Sequence, residues 1–182
     1  MKLKNLIIVA LLLAIGTILH AVVPGLVFGM KSDLSLVMLF LCLFFFADKK
    51  SFMIIGLADG MLAGLTTQLP GGFIPNVIDK LITTPVVFLA FLLCAKFFAP
   101  KGRYIAGMII AGLGTVLSGT IFATVLIILT NVQASIFMQL IVAMVLPTAG
   151  MNAVLMAILY PIILQVGRRS GFIKTSSKPP VY

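Results

Sequence analysis

Long apolar stretches separated by short polar segments form the pattern of this chain. They predict six helices, at residues 6–23, 34–47, 52–67, 81–99, 104–129 and 136–166. A straight helix needs about 20 apolar residues to cross a membrane, so the second and third stretches must recruit residues from neighbouring loops. The pattern therefore predicts an all-α bundle of six transmembrane helices in a single domain, residues 1–182.

Segment 66–80 is the most polar interruption of this pattern. It holds two prolines, a glycine pair, two amides and an adjacent acid–base pair: Gln68, Pro70, Gly71, Gly72, Pro75, Asn76, Asp79 and Lys80. Proline and glycine disfavour a continuing helix. Irregular backbone at membrane depth is tolerated only inside protein or beside a water-filled cavity. We therefore interpret the segment as a ligand-binding loop.

The composition places the chain in a lipid bilayer. Apolar residues make up 62% and charged residues 9%, with a mean hydropathy of +1.26, whereas soluble domains carry about 25% charged residues. One histidine, two separated cysteines and no glutamate leave no plausible set for a metal site or a general base. We expect no catalytic residues, no metal and no cofactor.

The net charge of +9 indicates membrane topology rather than nucleic-acid binding. With six helices, eleven of the thirteen basic residues share the side of the two termini: Lys2, Lys4, Lys49, Lys50, Lys96, Lys101, Arg103, Arg168, Arg169, Lys174 and Lys178. Basic residues favour the cytoplasmic side, so both termini are predicted to be cytoplasmic. The other two, Lys31 and Lys80, fall on the outer side beside Asp33 and Asp79.

These outer acid–base pairs are candidate ligand contacts. One interpretation is a solvated pair at a helix start, where an acid complements the helix dipole. The other is recognition of a zwitterionic amino acid, whose ammonium needs an acid and whose carboxylate needs a base. The second interpretation is favoured for Asn76, Asp79 and Lys80, and both stay open for Lys31 and Asp33.

Small residues recur at every fourth position in two helices. Gly56, Gly60 and Gly64 give the third helix a smooth face, which favours close packing inside the bundle over dimerisation. Ala10 and Ala14 repeat the spacing in the first helix. Alanine is common in apolar helices, so this pair by itself indicates little.

Two further polar residues lie within predicted helices. Asp59, in the third helix, must face the interior or water because a lipid-facing carboxylate is costly. It is either an ion or proton relay or a hydrogen-bonded structural carboxyl, and the lack of a nearby His, Glu or Arg favours the structural role. His20, at the outer end of the first helix, is either a packing residue or a ligand contact.

Two motifs resemble those of a transporter family. They are Gly-Met-Lys-Ser-Asp at 29–33 and Pro-Gly-Gly-Phe-Ile-Pro-Asn-Val-Ile-Asp-Lys at 70–80. Segments 10–16, 117–119 and 145–149 add further matches. Together they resemble the substrate-binding S components of energy-coupling factor (ECF) importers, and they are most similar to the tryptophan-specific S components.

The resemblance implies a six-helix bundle with cytoplasmic termini and a substrate pocket roofed by the outer loops. For tryptophan it implies an acid for the ammonium, Asp79 or Asp33, and a base for the carboxylate, Lys80 or Lys31. Further candidates are the indole N–H acceptors and the residues that shape or line the pocket: Gln68, Asn76 and Asn152, then His20, Phe28, Met30, Gly71 and Phe73.

The resemblance also implies partner proteins. In that family the small face of the first helix docks on a membrane scaffold subunit driven by two ATPase subunits, and Ala10 and Ala14 match this face. The chain would then be a transport subunit without enzymatic activity. Two alternatives stay open: an S component for another small vitamin or aromatic metabolite, and an autonomous ion-coupled carrier that uses Asp59.

Overall fold

The computed structural model describes residues 3–22, 32–130, 138–139 and 141–171. Six helices form this part of the chain: α1 (Leu3–Val22), α2 (Leu34–Phe45), α3 (Phe52–Thr66), α4 (Phe73–Phe97), α5 (Pro100–Thr130) and α6 (Leu146–Arg169). A π-helical turn, Ile141–Val145, leads directly into α6. The predicted all-α bundle is confirmed. Phe28, Met30 and Lys31, predicted to contact ligand, lie outside the described residues.

Helix α2 forms the centre of the bundle. It is apolar on every side, and all its residues after Leu34 are buried, as expected for a helix without a polar face. It packs against each of the other five helices. Its 12 residues extend only about 18 Å. Four longer apolar elements, α1, α4, α5 and the continuous stretch Ile141–Arg169, have the length and composition to cross a membrane.

The glycine face of α3 packs against the first turns of α4. A Cβ atom added to Gly60 would lie 3.1 Å from the Cβ atom of Lys80, and one added to Gly64 would lie 2.7 Å from Cδ2 of Phe73. Larger residues would therefore push the two helices apart. The prediction that these glycines serve packing inside the bundle is confirmed, and the close approach brings Lys80 into the interior.

Helix α4 begins eight residues earlier than predicted. It was expected to start near Leu81, but it starts at Phe73. The prediction of a loop across the whole of segment 66–80 is therefore wrong. The irregular backbone is confined to 67–72, where Gly71 has a φ of +76°. Pro75 falls in the first helical turn, where backbone N–H groups have no intrahelical acceptor, so a proline costs little there.

The two ends of the bundle differ in charge. Lys49, Lys50, Lys101, Arg168 and Arg169 lie at the end where α3 and α5 begin and α6 finishes. By the positive-inside rule this end faces the cytoplasm. The starts of α2, α4 and α6 then meet at the outer end, together with the last turns of α1, α3 and α5.

Candidate functional site

A cavity of about 650 Å³ opens at the outer end of the bundle. Its volume lies within the roughly 300–1,000 Å³ range of small-molecule sites. Six of the residues singled out from the sequence line it: His20, Asp33, Gln68, Asn76, Asp79 and Lys80. The fold thus gathers residues from α1, the start of α2, the loop before α4 and α4 itself around one space.

The rest of the cavity wall divides into apolar and hydroxyl groups. The apolar part comes from α2, α3, the loop before α4, α5 and the π-helical turn: Leu36, Ala63, Leu69, Phe122, Met144 and Val145. The hydroxyl groups come from α2, α3, the same loop, α5 and the first turn of α6: Ser35, Thr66, Thr67, Thr115, Ser118 and Thr148. A wall that combines apolar surface with charged and hydroxyl groups suits a ligand that has both an apolar body and a charged end.

A buried ion pair in the cavity wall joins Asp79 and Lys80. Their side chains are 1% and 3% exposed, and Nζ of Lys80 lies 2.6 Å from Oδ2 of Asp79. Ser118 of α5 donates its hydroxyl to the same oxygen at 2.7 Å and accepts a hydrogen bond from Lys80 at 3.2 Å. Thr83, one turn along α4, donates to Oδ1 of Asp79 at 2.7 Å.

This arrangement gives the two charged residues different roles. Both carboxylate oxygens of Asp79 already accept hydrogen bonds. A lysine ammonium has three N–H donors, and Asp79 and Ser118 are the described acceptors for two of them. Within the described part of the chain, Lys80 therefore keeps one donor for a ligand, while Asp79 holds Lys80 in place.

Asp33 lies on the opposite side of the cavity, at the start of α2. Its Oδ1 atom caps that helix by accepting a hydrogen bond from the N–H group of Leu36 at 3.0 Å. Nδ1 of His20 lies 3.5 Å from the same oxygen, and about a third of each side chain is exposed. No described residue hydrogen-bonds to the second carboxylate oxygen of Asp33. As far as the described residues are concerned, that oxygen can accept a hydrogen bond from a ligand.

Asn152 lies behind the cavity wall rather than in it. It is fully buried in α6, its side-chain oxygen accepts the backbone N–H of Asp33 at 3.0 Å, and its amide donates to Thr115 at 3.0 Å. Both ends of the amide are therefore engaged. The structure thus places Asn152 as a support for Asp33 instead of among the ligand contacts.

Three other residues named from the sequence also lie away from the cavity wall. Gly71 is part of the turn before α4, and Phe73 packs over Gly64 of α3. Asp59 is fully buried and accepts a hydrogen bond from Ser35 at 2.8 Å. Asp59 therefore touches the site only through Ser35, which lines the cavity.

Ser118 and Thr83 are site residues that the sequence analysis missed. Ser118 lies in a stretch of small residues in α5, a pattern typical of helix packing. Thr83 follows Asp79 by four residues, so the two share a helix face. The sequence analysis placed Asp79 in a loop before the helix and therefore did not predict this contact.

A bundle with four apolar helical elements long enough to cross a membrane and a polar pocket at one end defines a multi-pass membrane protein with a small-molecule site. The family model described as "Tryptophan transporter TrpP" matches residues 2–168. The chain belongs to this family. The predicted similarity to tryptophan-specific transport proteins is therefore confirmed.

Three bacterial relatives share most of the chain, and each is named "Probable tryptophan transport protein". The protein of Bacillus subtilis is 36% identical over 97% of this chain and 99% of its own length. The Clostridium acetobutylicum protein is 38% identical over 88% and 91%, and the Clostridium perfringens protein is 35% identical over 93% and 96%. No solved structure is significantly similar to the chain. The relatives indicate a prokaryotic membrane protein.

The buried pair predicts strongly coupled effects on stability. Lys80→Met and Asp79→Asn should each lower the free energy of unfolding by about 3–5 kcal/mol, because each leaves a buried charge without its partner. The double variant should lose much less than the sum of the two. Denaturant unfolding of the purified protein in detergent measures all three variants.

The matched control is Lys101→Met at the opposite end of the bundle. Removing this exposed charge should change the free energy of unfolding by less than about 0.5 kcal/mol. Strictly additive losses in the double variant would contradict the paired arrangement.

Proposed function

We propose that this protein binds tryptophan at the outer end of the bundle and acts as the substrate-binding S component of an ECF importer. The observation that carries the proposal is the cavity itself. On one side of it an acid has an oxygen that no described residue engages, and on the other side a lysine has a donor that no described residue accepts. Membership of the tryptophan transporter family and the names of the bacterial relatives support the choice of ligand.

In this proposal the ammonium of tryptophan binds Asp33 and the carboxylate binds Lys80. Hydrogen bonds that involve charged groups contribute about 1.5–3 kcal/mol each, and both residues line the cavity.

The apolar wall would receive the indole ring. Phe122 of α5 and Leu36 of α2 line the cavity, as does Met144 of the π-helical turn. Aromatic and thioether side chains pack well against an aromatic ring. An amino acid with a small or polar side chain would leave this surface unfilled, so the cavity favours a large aromatic substrate.

The side of α1 that faces away from the bundle supports the proposed docking on a scaffold subunit. Ala10 and Ala14 are exposed, while Val9 and Leu13 on the other face are buried in the bundle. Small residues at this spacing allow a second helix to approach closely. In the proposed assembly, two separate ATPase subunits drive release of tryptophan to the cytoplasm.

Calorimetric titration of the purified protein with tryptophan tests the ligand. We expect binding, and we expect Asp33→Asn to weaken it about 10- to 100-fold because a charge-assisted hydrogen bond is lost. Asp48→Asn, which removes a carboxylate at the opposite end of the bundle, is the matched control and should leave the affinity unchanged. Failure of the wild-type protein to bind tryptophan would overturn the substrate assignment.

Replacing the small residues of α1 tests the docking. Ala10→Phe combined with Ala14→Phe should leave tryptophan binding intact and abolish uptake by cells, because a bulky face cannot approach the scaffold. Gly150→Phe is the control, since a Cβ atom at this exposed position meets no atom within 4 Å. Tryptophan uptake by vesicles that contain this protein alone would instead indicate an autonomous carrier.

A further inference from the structure

We infer that Asn76 is the residue that recognises the indole N–H group and so distinguishes tryptophan from ring systems without that donor. This inference rests on the proposed function, because it concerns the same cavity and the same ligand. Asn76 lies in the first turn of α4, is half-buried and lines the cavity.

The orientation of the Asn76 amide follows from one hydrogen bond. Its Nδ2 atom donates to the backbone oxygen of Gly72 at 2.7 Å. A carbonyl oxygen can only accept, so the amide nitrogen must face it, and the side-chain oxygen must point elsewhere. No described residue donates to that oxygen. Asn76 therefore offers the cavity an acceptor held in a fixed orientation.

The position of Asn76 relative to Lys80 suits tryptophan. The two residues are four apart in α4, so they share one helix face and are separated by about 6 Å along the helix axis. A ligand whose carboxylate binds Lys80 can extend along this face toward Asn76. Its indole nitrogen, which is a donor only, would then meet an acceptor.

The two other amides considered for this role are less suitable. Asn152 is engaged at both ends with Asp33 and Thr115 and does not line the cavity. Gln68 lines the cavity but is exposed, and no hydrogen bond to another described residue fixes its amide. An acceptor that is already held in place loses less conformational entropy on binding.

A half-buried acceptor also explains how the site would reject close analogues. When a ligand fills the cavity without supplying a donor, the acceptor loses its contact with water and gains no partner. Sites that hydrogen-bond a substrate N–H or O–H group therefore discriminate strongly against analogues that lack it. A change in ring shape alone would give a smaller difference in affinity.

A comparison of the affinities of two ligands of similar size tests the inference. Affinities are measured by calorimetry for tryptophan and for 3-(3-benzothienyl)alanine, in which sulfur replaces the ring N–H. The wild-type protein should prefer tryptophan about 10- to 100-fold. In Asn76→Leu the preference should fall to about one, since leucine has the same branching at Cγ but no acceptor.

Controls separate recognition from a structural role. Gln165→Leu, which removes an exposed amide at the opposite end of the bundle, should keep the wild-type preference. Asn76→Ala repeats the test should the leucine variant not fold. If Asn76 has only a structural role, its replacement would weaken the binding of both ligands equally and leave the ratio of their affinities unchanged. That result would overturn the inference. Equal affinities in the wild-type protein would overturn it too. Binding of neither ligand to the wild type overturns the proposed function and this inference with it.

Discussion

The contact on which this site depends is the buried ion pair of Asp79 and Lys80, joined by Ser118. Two charges inside a bundle of apolar helices are costly unless they are paired and hydrogen-bonded, and here one serine of α5 bonds to both. The glycine face of α3 lets α4 approach closely enough to hold Lys80 in the interior. Packing of α3, α4 and α5 is therefore coupled to the charge balance of the cavity.

A second group of contacts holds the opposite side of the cavity. Asp33 caps α2 and receives support from Asn152, which is itself tied to Thr115 of α5. Helix α5 thus contributes to both sides, through Thr115 at one and Ser118 one turn further along. Because α5 supports both charged residues, their separation is set by the bundle and not by the loops above it. Such a site is organised before a ligand arrives, which lowers the cost of binding.

The helices and the shared location of the charged site residues could be predicted from the sequence. The start of α4 and the long-range contacts of the site could not. The apolar stretches gave the helices, and counting basic residues placed Asp33 and Lys80 at the same end of the bundle. The start of α4 was missed because Pro75 resembles a helix breaker, although a proline in the first turn is tolerated. The contacts of Ser118 and Asn152 join residues 39 and 119 positions away, and no local pattern reports such long-range packing.

In the proposed site, one cavity recognises both charged groups of an amino acid that carries an indole ring. Titration of the purified protein with three ligands tests this: tryptophan, tryptamine, which lacks the carboxylate, and indole-3-propionate, which lacks the ammonium. Tryptophan should bind at least about tenfold more tightly than either analogue, because each analogue loses one charge-assisted hydrogen bond. Equal affinity for tryptophan and either analogue would contradict this proposal.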